Sequence, residues 1–151
     1  MEFKSTSESD TFNLGKKLAG QLSPGDIVAL YGDLGSGKTA MIQGICDYFD
    51  VDEIVVSPTF TIVNRYEGKE KNIPILIYHI DLYRIESEKE LKEIGFSEYL
   101  NDESAIKLIE WADKTSLIPD SAIKITIKTD KNNDNFRKIT IENLDPILNE
   151  A

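Results

Sequence analysis

The chain has 151 residues, with 17 Lys and Arg against 27 Asp and Glu, for a formal net charge of −10. At 40% hydrophobic and 29% charged residues it is composed like a globular protein with a core and unlike a disordered chain. The length suits one domain (1–151), and the acidity counts against gripping nucleic acid or an anionic membrane by overall charge. Cys46 is the single cysteine, so no intramolecular disulfide can form. Set in the apolar stretch 45–49 with no basic neighbour, it reads as a buried thiol. No apolar run approaches the roughly 18 residues a membrane helix needs, and the polar, acidic opening segment lacks the features of a signal peptide. The expected location is the cytoplasm.

In chain order, Asp10 is placed to cap a first helix that carries Leu14, Leu18, Ala19 and Leu22 at helical spacing, before a turn at Ser23-Pro24-Gly25. Residues 27–31 form a continuous apolar run, the mark of a strand buried on both faces. A glycine-rich loop and a helix over 39–49 follow. Ile54-Val55-Val56 is too short to define a strand and leads into the turn Ser57-Pro58. Residues 75–80 are a second buried strand, ending at Asp81. Ser87 and Glu90 have capping-box spacing, predicting a helix from there to Gly95. Residues 105–109 are a third apolar run, ending at Glu110-Trp111. Ile123, Ile125 and Ile127, then Ile139 and Ile141, alternate with polar residues around the polar stretch 130–135, which predicts a hairpin with one wet face. There is no internal repeat and no dividing linker. The alternation of strand, loop and helix predicts an α/β fold: a three-layer P-loop NTPase-like domain with a mainly parallel central sheet plus antiparallel C-terminal strands.

The sharpest motif is Gly32-Asp33-Leu34-Gly35-Ser36-Gly37-Lys38-Thr39, a full match to G-x-x-x-x-G-K-[ST] between a buried strand and a helix. The glycines let the backbone curl so that successive N–H groups point inward around a polyphosphate, and the helix adds the positive end of its dipole. Lys38 brings a compact charge to the outer phosphates, and the Thr39 hydroxyl is a Mg²⁺ ligand in kind. Such a site needs a carboxylate to hold the metal or polarise a water. Asp81 and Glu110 both end buried strands, and either can serve; the sequence leaves open which touches the metal. Ser57-Pro58-Thr59-Phe60-Thr61 reads either as a phosphate-sensing switch or as a polar turn. His79, placed by alternation on the face of Asp81, reads as a satisfied core or rim histidine ahead of a catalytic one, and Trp111 as a core residue ahead of a stacking one.

The absences narrow the chemistry further. Neither N-K-x-D nor D-x-x-G is present, and the three arginines, Arg65, Arg84 and Arg137, do not make an arginine-rich lid. An ATPase or ATP-dependent switch is thereby favoured over a GTPase or a small-molecule kinase, with a partner as the object of its action.

The P-loop, Ser57-Pro58-Thr59-Phe60-Thr61, His79-Ile80-Asp81-Leu82-Tyr83-Arg84 and Ile109-Glu110-Trp111, in this order and spacing, resemble the bacterial TsaE (formerly YjeE) family, from about Thr11 to Ile141. The resemblance implies an ATPase of tRNA threonylcarbamoyladenosine (t6A) biosynthesis, weak alone, that acts on the TsaB–TsaD pair to support multiple turnover. The tRNA would be contacted indirectly at most. It implies ATP and Mg²⁺ as cofactors, with Gly35, Ser36, Gly37, Lys38, Thr39 and Ala40 around the phosphates and Thr11 near the base. Thr39 and Glu110 would lie at the metal, and Lys38, Asp81 and Glu110 would carry catalysis, Asp81 as the Walker B-like acid. Thr59 and Thr61 would belong to a switch, and Tyr83, Arg84 and Trp111 would support the site or the partner face. Family members often have Gly-Arg on the last hairpin where this chain has Phe136-Arg137, so the resemblance assigns Arg137 no ligand role. A nucleotide-gated binding module, in which ATP occupancy controls docking and hydrolysis is incidental, is the alternative reading.

Overall fold

The structure is a computed structural model and describes residues 1–58 and 62–144. Its frame is a sheet of seven strands among the described residues: β1 (Glu2–Ser5), β2 (Ile27–Tyr31), β3 (Val63–Glu70), β4 (Ile73–Asp81), β5 (Ala105–Glu110), β6 (Ile123–Asp130) and β7 (Asn133–Glu142). They lie in the order β1-β7-β6-β2-β5-β4-β3. The central four, β6, β2, β5 and β4, are parallel; β3, β7 and β1 pair antiparallel at the two sides. All six residues of β5 are buried, as expected of a parallel strand covered on both faces.

Helices α1 (Glu8–Ala19) and α2 (Lys38–Tyr48) cover one face, where Leu18, Met41, Ile42 and Ile45 pack on Leu30, Ile77, Leu108 and Ile125. The shorter α3 (Glu88–Glu93) and α4 (Phe96–Leu100) cover the other, with Leu91, Phe96 and Leu100 against Ala29, Ile80 and Ile109. The three-layer α/β fold with a mainly parallel centre and an antiparallel C-terminal hairpin is therefore as the sequence predicts.

Glycine sets how closely α1 and α2 cross. A Cβ at Gly44 would lie 2.0 Å from the Phe12 carbonyl oxygen, and one at Gly15 would lie 2.3 Å from that of Met41. The close crossing carries the start of α1 up against the start of α2, where the glycine-rich loop ends.

Two local readings change, and three segments that the sequence left undefined take shape. The cap of α1 is Ser7, whose hydroxyl accepts from the Asp10 N–H, while the Asp10 carboxylate reaches back to the N–H and hydroxyl of Thr6. Asp10 is thus the third residue of the helix, bonded back to Thr6 ahead of the cap, and not the cap itself. The helix predicted over 87–95 ends at Glu93, and left-handed Gly95 (φ 74°) starts α4 directly after it. Strands β1 and β3 carried no apolar pattern because they are edge strands, β3 reading VNRYEGKE with charges that protect an open edge. Residues 54–56 are not a strand. The Val55 carbonyl accepts from the Gln43 amide, and that of Val56 from Asn64 and Tyr66, so side chains take the bonds a ladder would make.

Candidate phosphate-binding site

Strand β2 delivers the chain to the carboxyl edge of the parallel sheet, and α2 leaves from it. The loop between must reverse in six residues, and Gly37 does so at φ 112° as the residue before α2, a conformation that suits glycine. Around the loop is a cavity of about 510 Å³, within the range of small-molecule sites. Thr11, Gly35, Ser36, Gly37, Lys38, Thr39, Ala40, Asp81, Tyr83, Glu110 and Trp111 all line it. Of the described residues that the resemblance assigns to the nucleotide, the metal, catalysis or the partner face, only Arg84 stays off the wall, exposed in the turn after β4, while His79 is buried beneath it. Thr59 and Thr61 lie outside the described residues.

The Lys38 ammonium donates to the carbonyls of Gly32 and Asp33 in its own loop and sits 4.1 Å from the centre of the Trp111 ring. Burial pushes its pKa down, and the charges of Glu110 and Asp81 pull it back up. Trp111 is partly buried at φ 56°, directly after β5, and its ring is 4.9 Å from that of Tyr83. It forms the cavity rim, where sequence favoured the core.

Asp81 and Glu110 are register partners across β4 and β5, so both acids stand at the same edge of the sheet. They differ in setting. Asp81 is half-buried and accepts from the Tyr83 N–H; burial raises its pKa against that bond. Glu110 is buried, and its Oε2 accepts from the Ser57 hydroxyl at 3.0 Å and faces His79 Nε2 at 2.6 Å. Ser57 in turn lies 3.0 Å from the Thr39 hydroxyl. One serine hydroxyl therefore bridges the two side chains that the resemblance assigns to the metal.

Sequence reasoning did not place Arg137 here. From β7, its Nε donates to the Ser36 carbonyl at 2.9 Å and its Nη2 to that of Gly35 at 3.3 Å, fastening the last hairpin to the glycine loop. The one signal available was a lone arginine on a hairpin whose other basic residues are all lysines.

The donor set fits a phosphate chain with Mg²⁺. Ser36 Oγ is buried with no hydrogen-bond partner among the described residues. An orphaned buried hydroxyl in that place is what an absent phosphate oxygen would satisfy. No group of three His, Cys, Asp or Glu among the described residues forms a protein-only metal cage. A hydroxyl and one carboxylate instead suit Mg²⁺, which keeps waters and shares phosphate oxygens.

A buried strand, a G-x-x-x-x-G-K-T loop and a helix on a mainly parallel sheet, with paired strand-end acids, define a P-loop NTPase-like protein. Residues 5–139 match the family model described as threonylcarbamoyl adenosine biosynthesis protein TsaE. The chain belongs to the TsaE family of t6A biosynthesis proteins. It is 44% identical over 108 residues to the "tRNA threonylcarbamoyladenosine biosynthesis protein TsaE" of Rickettsia conorii, a match spanning 71% of this chain and 58% of that relative. To the protein of the same description from Rickettsia typhi it is 39% identical over 139 residues, 91% of this chain and 92% of the relative. Among solved structures it resembles "Crystal structure of Bacillus subtilus YdiB" with a TM-score of 0.76 at 27% identity, covering 99% of this chain and 91% of that one. No helix among the described residues is long and apolar enough to cross a membrane.

Proposed function

We propose that the chain binds ATP and hydrolyses it to ADP and phosphate, and that it acts on the TsaB–TsaD complex to support repeated rounds of t6A synthesis in the cytoplasm. The reading treats 1–151 as a single P-loop ATPase domain. The observation that carries it is the placement of Lys38 and the Asp81–Glu110 pair around one cavity whose glycine loop holds an unpartnered Ser36 hydroxyl.

In this reading the N–H groups of 35–40 cradle the phosphates, and Lys38 exchanges its two loop carbonyls for phosphate oxygens. Thr39 and Glu110 hold Mg²⁺, which neutralises charge building on the phosphates when bound. Asp81 orients the attacking water; its one anchor among the described residues, the Tyr83 N–H, falls on Oδ1 and leaves the other oxygen for that bond. Thr11, on the cavity wall against Gly37, sits beside the base. Its hydroxyl is 2.7 Å from that of Ser5, which fixes that wall to β1. Tyr83 and Trp111 on the cavity wall, with Arg84 next in the chain to Tyr83, form the face offered to the partner, and Thr59 and Thr61 are assigned to the switch.

The net charge of −10 fits a subunit that works on the protein pair and does not grip tRNA itself. The test is multiple-turnover t6A synthesis by purified TsaB–TsaD with this chain and either ATP or a non-hydrolysable analogue. The proposal expects turnover with ATP and arrest after about one round with the analogue. Undiminished turnover with the analogue would make the chain a nucleotide-gated docking module instead.

A further inference from the structure

His79 is the only histidine of the chain and is fully buried. Nothing in the phosphate chemistry above requires it. It stands opposite Leu108 in the β4–β5 ladder, two residues below the Asp81–Glu110 pair, so its side chain shares their face and meets Glu110 on the diagonal. Ile77, two residues further down on the same face, packs in the apolar core. An apolar residue at 79 would continue that packing without the solvation cost of a buried imidazole beneath a buried carboxylate.

Both ring nitrogens have partners. Nε2 is 2.6 Å from Glu110 Oε2, and Nδ1 is 3.3 Å from the Tyr66 hydroxyl. A carboxylate oxygen accepts, so Nε2 carries the ring proton, and Nδ1 shares the Tyr66 hydroxyl proton with the Val56 carbonyl, also at 3.3 Å. The Asn64 amide donates to the same hydroxyl oxygen. Both described contacts on Glu110, from His79 and from Ser57, fall on Oε2. The carboxylate is thus held by one oxygen, and Oε1 is not needed to anchor it.

We propose that His79 is a positioning residue for this site: its Nε2–H pins Glu110 through Oε2, so that Oε1 is presented to the metal, and its Nδ1 ties that orientation through Tyr66 to the segment carrying Ser57. The inference rests on Glu110 being the metal-side carboxylate. Histidine supplies what an aliphatic residue cannot, a rigid donor of fixed direction in a dry place, and loss of such an outer partner characteristically weakens a metal site while leaving the fold intact.

The single histidine makes the test direct. In the ¹⁵N-labelled full chain, imidazole NMR is expected to show one slowly exchanging proton, on Nε2, displaced by Glu110→Gln. A ring proton on Nδ1, or one indifferent to Glu110→Gln, overturns the proposal. In hydrolysis assays, His79→Leu is expected to raise the Mg²⁺ concentration for half-maximal rate by about 10-fold or more, with the metal-free affinity for a fluorescent ATP analogue unchanged. His79→Gln, whose amide can put an N–H near the place of Nε2, should recover most of that loss. A folded His79→Leu chain with the parent's Mg²⁺ requirement sinks the proposal. If that variant fails to fold, the ring-proton spectrum of the parent and the Gln variant's metal titration decide it. A parent chain that hydrolyses no ATP would overturn the functional reading, and the role with it, whereas the His79–Glu110 bond is judged by NMR alone.

Discussion

Two lysines in this protein are buried in the same way and do different things. Lys38 ends the glycine loop, and Lys107 lies in the middle of β5. Each donates to two backbone carbonyls, Lys38 to Gly32 and Asp33, Lys107 to Gly25 and Asp102. Burial pushes both pKa values down, and nearby acids push back in both cases. The difference lies in what owns the carbonyls. Those of Lys107 belong to connections already fixed by other bonds, such as Gly25 N–H to the Ala105 carbonyl at 2.9 Å and Ser104 N–H to the Asp102 carboxylate at 2.9 Å. Its ammonium is a staple holding the start of β5 to the turn before β2. Those of Lys38 belong to a loop that lines a cavity, so a ligand's oxygens can take their place. A buried cation becomes a binding group when its partners can be exchanged.

The largest effect that would break this contrast is on turnover. Lys38→Met should lower ATP hydrolysis by about 10²-fold or more, as for other removed transition-state contacts, with the melting temperature little changed. Equal hydrolysis by parent and variant would put the phosphates elsewhere. Lys107→Met should do the reverse. It strands two carbonyls at about 1–3 kcal/mol, partly offset by relief of a buried charge, and lowers the melting temperature by roughly 3–8 °C. Nucleotide affinity should be untouched, and a loss of affinity in the folded variant would show the staple reaching the site.

Asp81→Asn sharpens the same point on the acidic side. Burial raises the Asp81 pKa in the folded chain, so the native state binds the proton more tightly than the unfolded one, and the ionised form costs stability at neutral pH. The amide removes that cost and can still accept from the Tyr83 N–H. The variant should melt about 1–2 °C higher at pH 7 while losing hydrolysis, and its advantage should vanish near pH 3, where the parent is protonated too. A lower melting temperature at pH 7 would contradict the sign.

The smallest effect concerns Cys46, in the core between α2 and the sheet, whose thiol burial pushes up to about 12. It should resist thiol reagents at pH 8 in the parent and in Lys38→Met. In Lys107→Met, where the unfolded fraction is greater, labelling should be faster. Equal labelling rates in the two lysine variants would erase the distinction drawn between them.

Much of the fold was legible because the central strands are covered on both faces. Apolar runs at 27–31, 75–80 and 105–109 need no partner to be recognised, and the glycine loop between a strand and a helix announces its own geometry. Strands β1 and β3 were not legible, since an edge strand keeps polar residues whose pairing depends on a distant neighbour. Lys107 sits inside an apolar run, and no local rule says which carbonyls will receive it. The same applies to Arg137, whose partners Ser36 and Gly35 are about a hundred residues away.

The sequence by itself determined the chemistry on offer: a phosphate-cradling loop with its lysine and threonine, two strand-end acids, and the parallel strands that carry them. The order of motifs was enough to single out the family. The tertiary structure decided how those groups are held. Sheet register set Asp81 opposite Glu110 and His79 beneath it, and the folded segment before residue 59 put Ser57 between Thr39 and Glu110. These are contacts between residues 18 to 53 positions apart in the chain. Local pattern specifies which face a side chain takes, but only packing across the sheet specifies which side chain it meets there.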